Sequence, residues 1–248
     1  MAQTQNIIGL VYDFDKTLSP NSMQEDTVLP YLKMDPAKFW LETDRLVAED
    51  SFEAELAWMR LLLEKEEFRQ LSNKDLQNMG LKLKYYPGVP EIFQQLEEVL
   101  DRPTYREYGV TIEHYIITSG LREVIEGSNL RPYVKSIFGS EIAEDSEGKL
   151  GFPKRAISHT QKTQYLFRIN KGYLDLQKDV NDHVSHEDHR IPFANMVYIG
   201  DGPTDVPCFA VMSQQEGHTL AVYDPSDTNS FATVSYTHLR AHETDSYL

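Results

Sequence analysis

Residues 7–17, IIGLVYDFDKT, carry an apolar run straight into two aspartates one residue apart, Asp13 and Asp15. Further along come ITSG (117–120), holding Thr118 and Ser119, and GDGPTD (200–205), holding Asp201 and Asp205. Each group follows a segment that reads as a β-strand. In open α/β sheets, ligands bind beyond the carboxyl ends of the strands. Four carboxylates and a hydroxyl are therefore expected to converge on one edge. Clustered carboxylates repel and need a counter-charge. A hard divalent cation such as Mg²⁺, which prefers oxygen ligands, supplies it. A single aspartate at a strand end would read as a helix cap; this set does not.

The elements that must position these groups follow from periodicity. Residues 7–12, 111–118, 136–143, 195–199 and 218–223 are short, apolar and partly β-branched, as buried strands are. Residues 23–84 instead place apolar side chains at three- and four-residue spacings among dense charge, which predicts three or four amphipathic helices and no strand. Asp35, with Pro36 behind it, and Ser51 are the expected helix caps there. Helices are also expected at 91–100, from 119 onward, at 161–170 and after 203. The segment EDSEGKLGFPK reads as a hairpin or turn, and 174–192 as a polar loop. Strands alternating with helices predict an α/β fold with a Rossmann-like parallel sheet. The all-helical block falls after the first strand, so it reads as an inserted cap (19–84) on a core of 1–18 and 85–233.

The formal charge of −15 argues against non-specific nucleic-acid binding and against an anionic membrane surface. An anionic substrate would need a local positive field in the site. Cys208 is the only cysteine, so no intrachain disulfide forms. The N-terminus lacks the basic and apolar regions of a signal peptide, and no apolar run reaches membrane-spanning length. A cytoplasmic protein is expected.

Taken in order, DFDKT, ITSG, a lysine on a helix and GDGPTD resemble the haloacid dehalogenase-like (HAD) hydrolase superfamily, in its phosphatase branch. The helical insertion is similar to that of phosphoserine phosphatase-like members. The resemblance spans residues 7 to about 223. It implies a Mg²⁺-dependent hydrolase of a small phosphorylated metabolite. Asp13 would be the nucleophile that forms an aspartyl-phosphate, and Asp15 the general acid and then base. Thr118, Ser119 and Gly120 would bind the phosphoryl group, the last two through a helix start. Lys162, in KTQYLFRI, would neutralise it, with Lys154 and Lys171 as competitors. Asp13, the main-chain carbonyl of Asp15, and Asp201 would hold the metal, with Asp205 behind them orienting a water or the lysine. An acid at Asp15 favours ester hydrolysis over dehalogenation, because a halide leaves without a proton. The family's glutamate for a substrate amine is absent: Ser22 stands at that spacing, and Glu25 and Asp26 follow, which argues against phosphoserine as the substrate. A phosphotransferase or mutase, or an idle phospho-ligand-binding module, are the alternatives on the same fold.

Other features carry less. His183, His186 and His189 share a spacing that suits zinc on a helix, but their segment has no apolar period and reads as a loop. Trp40, Trp58 and Met59 read as packing within the cap, and Cys208 as a small core residue. Residues 234–244, VSYTHLRAHET, resemble the translation of an adapter used in transposase-based DNA library preparation, so 234–248 is expected to be foreign to the natural chain.

Overall fold

The computed structural model describes residues 5–224; the adapter-like tail at 234–248 lies outside them. Within these residues six strands form one sheet: β1 (Ile7–Tyr12), β2 (Thr111–Leu121), β3 (Val134–Glu144), β4 (Leu150–Arg155), β5 (Met196–Gly200) and β6 (His218–Ala221). Their spatial order is β4-β3-β2-β1-β5-β6. All neighbours are parallel except β3 and β4, which form an antiparallel hairpin where EDSEGKLGFPK predicts one. β1 lies inside the sheet between β2 and β5, which explains its nearly unbroken apolar run. Its side chains alternate between faces: Leu10 and Tyr12 enter one core, Val11 the other.

Six α-helical segments fall within the stretch after β1 that reads as an insertion: α1 (Met23–Asp26), α2 (Val28–Tyr31), α3 (Pro36–Asp50), α4 (Ala54–Leu63), α5 (Glu66–Arg69) and α6 (Asn73–Met79). α1, α2 and α5 are four-residue turns, too short to leave a period in the sequence. That is why the sequence predicts fewer helices there. Asp35 caps α3 as expected, accepting the Lys38 amide, with Pro36 in the first turn. Ser51 does not open a helix. It terminates α3 in a left-handed conformation (φ 58°), and Glu53 precedes α4. The insertion shares one apolar core with the sheet: Phe39, Met59, Leu62 and Phe68 join Leu10, Tyr12 and Ile116. It is tied to the β3–β4 hairpin where the Leu150 amide donates to the Leu71 carbonyl at 2.9 Å.

The remaining helices are α7 (Glu91–Val99), α8 (Pro103–Glu107), α9 (Arg122–Glu126), α10 (Gln161–Lys171) and α11 (Val206–Gln214). α10 and α11 cover the second face, where Leu166, Ile169, Phe209 and Met212 pack against Val11, Ile117 and Tyr198. One expectation fails at the end of β2. The pairing of β2 with β3 shifts register between Ile117 and Leu121, and the strand continues through the shift. Ser119 and Gly120 are therefore strand residues, and α9 begins only at Arg122. No helix among the described residues is long and apolar enough to cross a membrane.

Candidate active site

β1 ends at Tyr12, but the Asp13 amide still donates to the Ile199 carbonyl of β5 at 2.8 Å. Asp13 is thus fixed by the sheet, one residue past its edge. Beyond it the chain turns, so Asp15 meets the same cavity from another side. This cavity, about 180 Å³, is lined by Asp13, Asp15, Thr118, Ser119, Lys162 and Asp201, and also by Lys16, Ser22 and Thr204. The sequence-expected carboxylates, hydroxyls and lysine therefore come together from β1, β2, α10 and the turn after β5.

Of the three candidate lysines, Lys162 is the one at the site. Its Nζ lies 2.8 Å from Asp13 Oδ2 and 2.8 Å from Asp205 Oδ1, and the side chain is 1% exposed. Lys154 instead pairs with Glu141 at 2.9 Å, and Lys171 donates to the main-chain carbonyls of Val180 and Asp182. Burial alone would depress the Lys162 ammonium, but the Asp13 and Asp205 carboxylates outweigh it and push its pKa up. Burial pushes the Asp13 carboxyl up in turn, while Lys162 pulls it down. Both tendencies concern one shared proton. We place it on Lys162, whose Nζ faces carboxylate oxygens of two residues.

Asp205 is the hub behind this pair. It is fully buried, and Oδ1 accepts from Lys162 Nζ and from the Tyr198 hydroxyl, at 2.8 and 2.7 Å. Oδ2 accepts from the amides of Asp201 and Gly202 at 3.1 and 3.3 Å. Gly200 is required for this fit: a Cβ there would stand 2.3 Å from Asp205 Oδ2. Carboxylate oxygens of Asp13, Asp201 and Asp205 lie within 4.8 Å of one another. This hard-oxygen cluster suits a divalent cation. Protein donors engage both oxygens of Asp205 and also those of Asp13, through the Phe14 amide and Lys162. It is because Asp13 and Asp201 line the cavity, and Asp205 does not, that these two are the better placed to face a cation.

Asp15 has different surroundings. Its Oδ1 accepts the Met23 amide of α1 at 2.8 Å. Burial raises its pKa to about 7 despite that hydrogen bond. Burial likewise raises Asp201, to about 6. On β2, the Ser119 hydroxyl lines the cavity and is buried without a hydrogen-bond partner among the described residues. Gly120 does not line it. Its amide donates to Thr118 Oγ1 at 3.0 Å, and the Leu121 amide meets Met23 Sδ at 3.0 Å, so these two amides are not offered to a ligand.

Sequence reasoning gave no role to Lys16, Thr17, Thr204 or Tyr198. Thr17 Oγ1 lies 3.4 Å from Asp201 Oδ1, and it and Lys16 sit inside the DFDKT stretch itself. The acids after the first motif turn inward: Trp40 Nε1 donates to Glu25 at 2.7 Å, and Lys84 Nζ meets Asp26 at 3.2 Å. Trp40 thus does more than pack, whereas Trp58, Met59 and Cys208 are core residues as expected. The three loop histidines form no metal-type cluster; among the described residues the one such group is Asp13, Asp201 and Asp205.

This fold is matched in solved structures. A HAD-family hydrolase from Salmonella enterica serovar Typhi superposes with a TM-score of 0.57 at 14% identity, covering 87% of this chain and 67% of that one. A substrate-bound phosphoserine phosphatase superposes with a TM-score of 0.54 at 13% identity, covering 86% of this chain and 85% of that one. No family model matches. The chain has the fold of HAD-family hydrolases and phosphoserine phosphatases. A Borreliella burgdorferi protein described only as uncharacterised is 30% identical over 256 residues, spanning 93% of this chain and 88% of its own, and the chain belongs to one family with it.

Proposed function

We propose that this chain is a Mg²⁺-dependent phosphomonoester hydrolase that works through an aspartyl-phosphate. The observation that carries the proposal is the unlike environment of two acids on one cavity. Asp13 touches the Lys162 ammonium at 2.8 Å, whereas Asp15 touches only a neutral amide and has its pKa raised to about 7. One is equipped to attack and the other to carry a proton near neutral pH.

An Asp13 oxygen attacks phosphorus and the bond to the ester oxygen breaks. Asp15 gives its proton to the departing alkoxide. Asp15, now a carboxylate, takes a proton from water as the water oxygen attacks the aspartyl-phosphate. Inorganic phosphate leaves and the Asp13 carboxylate returns. Lys162 and the hydroxyls of Thr118 and Ser119 bind the phosphoryl oxygens; the buried, unpartnered Ser119 hydroxyl suits that role. Asp205 positions Lys162. Mg²⁺, held by Asp13, Asp201 and the Asp15 carbonyl, would offset charge on the phosphoryl oxygens.

The cavity volume of about 180 Å³ suits a small phosphorylated metabolite. Ser22 lines the cavity and neither Glu25 nor Asp26 does; Trp40 holds Glu25 Oε1 and Lys84 pairs with Asp26, which argues against phosphoserine. The test is hydrolysis of p-nitrophenyl phosphate. Asp13→Asn should fold normally and release no phosphate, and EDTA should abolish wild-type turnover until Mg²⁺ is restored. Wild-type turnover by Asp13→Asn overturns the assignment.

A further inference from the structure

A second cavity, about 300 Å³, opens on the flank of α10 away from the catalytic groups. Its walls are Arg155, Gln161, Gln164, Tyr165, Arg168 and Leu176, and no carboxylate lines it, although the chain carries a formal charge of −15. Buried charges are normally paired, because desolvating an isolated ion is costly. Arg168 departs from that rule. It is 8% exposed, the one arginine among the buried residues described, and it takes part in no ion pair among them. Its Nη1 donates to two main-chain carbonyls, Lys178 at 3.0 Å and Asp175 at 3.5 Å. Its Nε is buried with no partner. The Asp175 carboxylate is engaged by the Gln177 amide.

The surroundings add donors and positive charge. Arg155 and Lys154 share the single carboxylate of Glu141, and neither that carboxylate nor the Asp175 carboxylate forms an ion pair with Arg168 among the described residues. Gln161 Oε1 accepts the Ser158 amide at 3.3 Å, leaving its NH₂ group for a ligand. Tyr165, 2% exposed, lies within electrostatic reach of both arginines. We propose that this cavity is a second binding site, distinct from the catalytic one, for the phosphate group of a small molecule. The guanidinium fork of Arg168 would face the anion, with the Gln161 and Gln164 amides beside it. The proposal does not depend on the reaction assigned above.

The test titrates inorganic phosphate into the metal-free protein and follows the Arg168 Nε–H resonance by NMR, which phosphate in the catalytic cavity does not touch. A saturating shift is expected by roughly 20 mM, well beyond the ~1 mM dissociation constant of a weak anion site. Gln164→Glu places a carboxylate on a half-buried wall and breaks no hydrogen bond, so it should fold and should weaken binding about tenfold or more. Arg168→Lys keeps the charge but loses the fork and should also weaken binding, followed there at the Gln164 side-chain amide resonance. The absence of a saturable shift, an unchanged affinity in Gln164→Glu, or an equal response to chloride at matched ionic strength overturns the proposal.

Discussion

Replacing Lys162 by Met keeps the side-chain volume and removes one charge. The ammonium is 1% exposed and bridges Asp13 and Asp205, at 2.8 Å each. Without it, two carboxylates remain buried and unpaired. Breaking a buried ion pair by removing one partner costs about 3–5 kcal/mol. In a chain of this length each kcal/mol lowers Tm by about 2–4 °C, so a fall of roughly 10 °C is expected at pH 8. The sign with pH is also fixed. In the wild type the ammonium pKa is raised, so its contribution is complete at neutral pH and is lost only as pH rises through the folded value. In the variant, the folded state takes up a proton between the two bare carboxylates that the unfolded chain does not bind above about pH 5. The variant therefore regains stability on acidification, by at most about 1.4 kcal/mol per pH unit. Urea denaturation of both proteins at pH 8 and pH 5 measures this, and the gap between them should narrow at pH 5. The double variant Lys162→Met/Asp205→Asn should recover about 1–3 kcal/mol relative to additivity. A gap that stays constant with pH, together with additive single effects, refutes the reasoning.

Tyr198→Phe removes one donor from Asp205 Oδ1, which leaves Lys162 drawn toward Asp205 and away from the phosphoryl site; kcat should fall about tenfold with KM little changed, measured on p-nitrophenyl phosphate. His114 is 1% exposed, and burial lowers its pKa to about 4. Its stabilising contribution is whole above the unfolded value near 6.5 and is lost as pH falls toward 4, about 2 kcal/mol by pH 5. His114→Asn, which can still meet the Tyr12 hydroxyl, should flatten that part of the stability curve in urea titrations. Gly127→Ala would set a Cβ 1.8 Å from the Gln77 carbonyl, where α6 meets α9, and should cost more than about 2 kcal/mol in the same assay, by prying the insertion from the sheet.

Two strand ends were legible because few segments apart from a buried strand entering a site run apolar and then meet acids at once: β1 and β5 finish just before Asp13 and Asp201, whereas β2 carries Thr118 and Ser119 within its own last residues. Lys162 was not legible from residues alone. A lysine on an amphipathic helix says nothing about distance, and only the resemblance separated it from Lys154 and Lys171. Tyr198 was hidden for the opposite reason. Within MVYIG it reads as an ordinary strand residue, and its hydroxyl acquires a partner only when the turn after β5 brings Asp205 back beneath it. A helix is expected from Ser119 onward, whereas β2 absorbs a register shift and continues to Leu121. Arg168 reads in sequence as a solvated helix cation; only the loop that supplies the Asp175 and Lys178 carbonyls buries it.

The two acids of DFD also explain why a helical insertion follows them directly. Asp15 accepts its hydrogen bond from Met23, the first residue of α1, and the neighbouring Ser22 lines the cavity. Met23 reaches further, since its sulfur meets the Leu121 amide at the end of β2. The start of the insertion is thus pinned between the ends of two strands, and the carboxyl with the raised pKa is oriented by that pinned turn rather than by the sheet. Asp13 is held by β5 and Lys162, Asp15 by α1. A displacement of α1 would leave the nucleophile in place while turning the proton carrier away, so the proposed chemistry requires the first turn of the insertion to be seated whenever a phosphoryl group occupies the site.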